Sequence, residues 1–99
     1  MNKHAQNQLR QIMSQYLRQG ATAYRKKQFK RLCNIIEDIN RSEPEIKYRL
    51  SAIGKKQIIG YWRRTKDETD KTKLEKWRVL SKLFNELEKP QPPKPYLNE

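Results

Sequence analysis

Thr22-Ala23-Tyr24-Arg25-Lys26-Lys27-Gln28-Phe29-Lys30-Arg31-Leu32-Cys33-Asn34-Ile35-Ile36-Glu37-Asp38-Ile39-Asn40 is the stretch that decides the fold. Gln28, Leu32, Ile35, Ile36 and Ile39 recur at spacings of three and four, the period of one helix face, with Tyr24 and Phe29 on its edges. Thr22 is a suitable N-cap, since its hydroxyl can accept from an amide of the first turn that has no partner within the helix. At 100° per residue, Lys26, Lys27, Lys30 and Asn34 project opposite the isoleucine stripe, with Arg31 at its border. The segment therefore predicts a long helix, apolar on one side and basic on the other.

The same period extends outward in both directions. Leu9, Ile12, Met13, Tyr16 and Leu17 form a face closed by Gly20, which predicts one helix ahead of the central one. Residues 41–50, with Pro44 in the middle, read as the longest connection, in which Ile46 to Leu50 has room for one helical turn. Ser51 to Lys66 brings Ile58, Ile59 and Trp62 together as a third helix, and Leu74, Trp77, Leu80, Phe84 and Leu87 share a face of a fourth. Asp67, Glu68 and Asp70 stand just ahead of that fourth helix, where the helix dipole favours negative charge. Beyond Leu87, the run Lys89-Pro90-Gln91-Pro92-Pro93-Lys94-Pro95 cannot continue a helix, because proline lacks the amide donor and clashes with the preceding turn. The expectation is an all-α, compact four-helix bundle over residues 1–89, followed by an extended Pro-rich linker or tail at 90–99. Trp62 and Trp77 are expected in its interior.

The charge is segregated rather than sprinkled. Met1 through Ile36 holds eight Lys or Arg and no acid, and Ile46 through Lys66 holds seven and again none, within a net charge of +12 on 99 residues. Each Lys or Arg set on a phosphate releases a condensed counterion, so a surface of this kind favours a polyanion. The residues expected to face it are Lys26, Lys27, Lys30 and Arg31 on the second helix, Lys56, Arg63 and Arg64 on the third, and Lys71, Arg78 and Lys82 on the fourth. Bases would be approached through these faces, with phosphate contacts supplying most of the affinity.

Other chemistry finds little support. Cys33 is the only cysteine and His4 the only histidine, so neither an internal disulfide nor a Cys/His zinc site can be assembled, and Cys33 reads as a buried small hydrophobe. Gly54 to Gly60 lacks the Gly-Lys-Ser/Thr of a phosphate loop, and Gln57 stands where the loop of a KH domain needs its second glycine. No set of residues resembles a nucleophilic triad, which points away from an enzyme and from cofactors or a small-molecule substrate. The chain has no apolar run of bilayer length and no signal-like segment, so a cytoplasmic protein without membrane contact is expected.

Leu9-Arg10-Gln11-Ile12-Met13, followed by Gly20-Ala21-Thr22-Ala23-Tyr24-Arg25, resembles the opening of the N-terminal core-binding domain of tyrosine recombinases, the SAM-like module of phage and mobile-element integrases. Leu50 to Trp62 is similar to the third helix of that domain, Thr72 with Trp77, Leu80, Leu83 and Phe84 to its fourth, and Lys94 to Glu99 to the linker entering the catalytic domain. The resemblance implies duplex-DNA binding without cleavage, because the catalytic tyrosine, arginines and histidine of the family belong to a C-terminal domain not found here. Where the family often carries an arginine late in the fourth helix, this sequence has Ser81, flanked by Arg78 and Lys82. The expected partner is double-stranded DNA, with a recombinase as a possible protein partner. The competing readings are a small interaction module whose basic faces meet an acidic protein, and an RNA binder.

Overall fold

The computed structural model describes residues 1–20 and 22–98, and every regular element among them is helical. The order is α1 (Lys3–Ile12), α2 (Ser14–Arg18), α3 (Thr22–Ser42), α4 (Lys55–Arg64) and α5 (Asp70–Glu86), with 3-10 turns at Pro44–Ile46 and Leu50–Ala52. Ala21 and Glu99, both part of the stretches compared above, lie outside the described residues.

The central helix forms as its stripe predicts. Leu32, Ile35, Ile36 and Ile39 keep at most 1% exposure, and α3 packs against α2, α4 and α5. Gln28, in the same stripe, is also buried, and its side-chain amide is satisfied by donating to the Glu75 carbonyl oxygen at 3.1 Å and accepting from Arg31 at 2.7 Å.

The expected first helix is instead two segments. The Met13 backbone departs from helical values (φ −92°, ψ 11°), so the chain bends between α1 and α2. Leu9, Met13 and Tyr16 remain buried through the bend, with Ile12 and Leu17 packed against the same core.

The connection after α3 is held by side chains. Lys47 and Tyr48 both take left-handed backbone angles (φ 51° and 59°), a conformation that costs most residues free energy. Asn40 Oδ1 accepts from the Tyr48 amide at 2.8 Å, and the Tyr48 hydroxyl donates to Glu37 at 2.7 Å, which offsets that cost. Gly54 caps α4, with its amide donating to Gln57 Oε1 at 2.8 Å, and Thr69 Oγ1 caps α5 by accepting from the Thr72 amide at 3.2 Å.

Residues 88–98 contain neither helix nor strand, but they do not leave the bundle as a linker. α5 ends with Glu88 in the left-handed region (φ 57°), its amide bonded to the Asn85 carbonyl and that of Lys89 to the Phe84 carbonyl, a Schellman turn that sends the chain back. The Trp77 indole then donates to the Pro92 carbonyl at 3.0 Å and the Trp62 indole to that of Pro93 at 2.9 Å. Pro92 and Pro95 are buried. The expected boundary at residue 89 therefore separates two parts of one packed unit. Trp62 is in the interior as expected, whereas Trp77 is half-buried and roofed by the tail. The prolines that exclude a helix also free their carbonyls for the indoles.

Candidate nucleic-acid interface

Basic side chains are abundant and few are neutralised. Among the described residues only Arg41, Arg64, Lys76 and Arg78, with the Met1 amine, have a carboxylate within 4.0 Å. The acids concerned are drawn inward. Glu37 meets the Met1 amine at 2.9 Å, and this bond, then the one from Tyr48, holds its carboxyl below the usual range. Glu68 accepts from Lys76, whose ammonium also donates to the Tyr61 hydroxyl at 2.7 Å; burial pulls the Lys76 pKa down, but the bonds to Glu68 and Tyr61 outweigh it and raise it.

The densest arrangement of the expected residues is the seam where α3 meets α5. Tyr24, Gln28 and Arg31 stand on one ridge of α3 and converge on Glu75 of α5. The Tyr24 hydroxyl donates to Glu75 Oε2 at 2.6 Å, Gln28 bonds the Glu75 carbonyl, and Arg78 pairs with the same carboxylate. The Tyr24 bond, followed by Arg78, holds the Glu75 carboxyl below its ordinary range, so its charge is kept and already engaged. Lys27 on α3 and Lys71 and Lys82 on α5 are exposed on the turns around this seam. A small cleft of about 290 Å³ opens beside it, lined by Tyr24, Gln28, Trp77, Arg78, Ser81 and Lys82. Ser81, at the position where the resemblance implies an arginine, is half-buried and spends its hydroxyl on the Trp77 carbonyl at 2.9 Å.

The other expected residues are distributed over different walls. Lys26 and Lys30 are exposed on the opposite flank of α3 and line a groove toward α1 with Arg10, Phe29 and Cys33. Cys33 is half-buried rather than fully enclosed, and burial raises its thiol pKa. Arg64 reaches back to Asp38 of α3 at 2.6 Å, tying α4 to α3. Lys56 and Arg63 share the outer face of α4, and Arg63 opens onto the groove beside the tail. The ten residues thus do not form one patch: α3 and α5 supply a shared seam, α3 a second flank, and α4 a separate wall.

Several basic residues near these walls escaped the helical projection. Arg10 lies over the Phe29 ring at 4.8 Å, and Arg25 over the Tyr16 ring at 4.6 Å, with its Nε buried and without a partner among the described residues. Lys66 and Lys94 join Arg63 beside the tail. Arg25 adjoins Lys26 in sequence and was legible as basic, but Lys94 could be placed only once the tail was known to fold back.

No family model, curated protein or solved structure matches the chain. No helix among the described residues is long and apolar enough to cross a membrane.

Proposed function

We propose that this chain is a non-catalytic module that binds double-stranded DNA, of the core-binding type found in tyrosine recombinases. Counting α1 and α2 as one bent helix gives the four-helix order of that SAM-like domain, with α3, α4 and α5 as its second, third and fourth helices. The observation that carries the reading is the pairing pattern. Glu75, the acid at the α3–α5 seam, is bonded within the protein, while Lys27, Lys71 and Lys82 around it are exposed with no carboxylate within 4.0 Å among the described residues.

The N-terminal half of α3 suits a major groove, which is wide enough to admit a helix. Laid there, Lys27 and Arg31 would approach phosphates of one strand together with Arg78 and Lys82, and Lys26 and Lys30 those of the other. Arg78 can exchange its bond with Glu75 for a phosphate at little cost, since exposed ion pairs contribute only ~0–1 kcal/mol.

With about six phosphate contacts, the log of the duplex binding constant falls with log salt at a slope of about −5. Replacing Lys26, Lys27 and Lys82, three of those contacts, together by Ala leaves the helical circular dichroism unchanged and brings the slope to roughly −2 to −3. A protein that fails to bind duplex at ~50 mM salt, or binds with a slope that the triple substitution does not alter, refutes the proposal.

A further inference from the structure

The groove between α4, the start of α5 and the returning tail has a composition unlike the α3–α5 seam. It encloses about 900 Å³ and brings Arg63, Lys66, Lys73 and Lys94 together with Trp62 and Tyr96. Among the described residues Asp67 is the only acid that lines it. Asp70, one turn away, is already engaged by the Asn98 amide at 3.0 Å.

Two details point to a ligand. Lys73 is 3% exposed, and the sole partner of its ammonium among the described residues is the Tyr96 carbonyl at 3.1 Å, with no carboxylate within 4.0 Å. A buried cation of this kind leaves a positive potential that an anion in the groove would relieve. Tyr96 carries the opposite oddity: its backbone is anchored by Lys73, yet it is 83% exposed and lines the groove together with three further cations. An aromatic face beside a cationic track is the arrangement that binds unpaired nucleotides, the bases stacking on the ring while the phosphates meet the cations. A duplex offers no free base face to such a ring, because its bases already stack on each other.

We propose that this groove is a second nucleic-acid site, which takes a single-stranded segment with a base stacked on Tyr96 and phosphates on Arg63, Lys66 and Lys94. It is separate from the α3–α5 seam and does not rest on the duplex reading. Its position explains why the tail is pinned at so many points: Lys94 is held over the Trp77 ring at 5.1 Å and Tyr96 by Lys73, so the platform is built before the ligand arrives.

The test compares binding of a labelled oligodeoxythymidylate, a short DNA duplex and inorganic polyphosphate to the intact chain and its variants. Tyr96→Ala is expected to weaken oligodeoxythymidylate binding about tenfold and Tyr96→Phe less than about twofold, with duplex and polyphosphate affinities unchanged. Lys66→Ala combined with Lys94→Ala should lower the salt slope for the single strand by about 1.4. The proposal is overturned if Tyr96→Ala leaves the single strand unaffected, or if it weakens polyphosphate equally, since no base can then be stacking. Duplex binding that fails while the Tyr96-dependent single-strand binding persists removes the α3–α5 reading and upholds this one.

Discussion

The central helix and the C-terminal tail are held to the molecule by opposite kinds of contact. α3 is fixed by a continuous apolar stripe of Leu32, Ile35, Ile36 and Ile39, repeated every three or four residues, so its place follows from its own sequence. The tail holds on by single polar contacts to distant residues: Trp62 and Trp77 on the carbonyls of Pro93 and Pro92, and Lys73 on that of Tyr96. A further contact at the turn into the tail has Lys89 donating to the Ser51 and Ile53 carbonyls at 2.8 and 2.6 Å. Periodic burial can be read from one segment. Point contacts need both partners to be known.

The largest effect should come from removing the tail. Ending the chain after Lys89 removes the acceptors of both indole N–H groups, which water then satisfies, and uncovers the two rings; at about 0.5–1.5 kcal/mol net for each hydrogen bond, together with the apolar surface returned to water, the loss is ~3 kcal/mol or more. For a domain of this size that is a fall in Tm of roughly 12 °C or more by thermal circular dichroism. Lys26→Ala combined with Lys30→Ala, on the exposed flank of α3, should stay within about 0.5 kcal/mol of the parent. A truncated protein that melts within about 4 °C of the intact one would return the tail to the status of a linker.

That contrast also explains what was legible beforehand. The all-helical class, the span of α3 and the stop after α5 were visible because period and prolines act locally, whereas the helix expected over Ser51 to Lys66 is confined to Lys55–Arg64 by a separate 3-10 turn at Leu50–Ala52. The bend at Met13 was not, since the spacing of Leu9, Met13 and Tyr16 suits one unbroken helix equally well. For the candidate site, the cations that the projection turned outward are exposed, except half-buried Arg31, but it could not say which helices share a wall. It could not show that Arg64 is drawn to Asp38, or that Lys94 lies beside Arg63. Buried Lys73 is the plainest case, for no local signal separates it from its exposed neighbour Lys71.

Acid sharpens the comparison, because the two regions depend on protons differently. Glu37 and Glu75 bond the Met1 amine, Tyr48 and Tyr24 around α3, and both carboxyls titrate below the ordinary value of 4.5. A depressed folded pKa contributes stability that is present above the unfolded value and lost as pH falls through the folded one. The unfolding midpoint in urea should therefore drop below about pH 4.5, while the indole bonds of the tail, which do not titrate, persist. Glu75→Gln should flatten that acid limb. Tryptophan emission that shifts red at mild acidity, before the helical signal falls, would show that the tail is the weaker attachment.

The smallest effect concerns the turn that starts the tail. Glu88 occupies the left-handed position of a Schellman turn, where glycine is the usual residue because it has no Cβ to crowd the following carbonyl. Gly loses more chain entropy on folding than Glu does, so only part of the ~1–2 kcal/mol left-handed penalty is recovered. Glu88→Gly should then stabilise by roughly 0.5–1 kcal/mol, raising Tm by about 2–8 °C. The same change in the truncated protein should give the same gain if the turn is set locally by the bonds from Glu88 to Asn85 and from Lys89 to Phe84. A gain that appears only with the tail present would mean that the indole contacts of Trp62 and Trp77 hold the turn closed, and that the tail dictates its own entry.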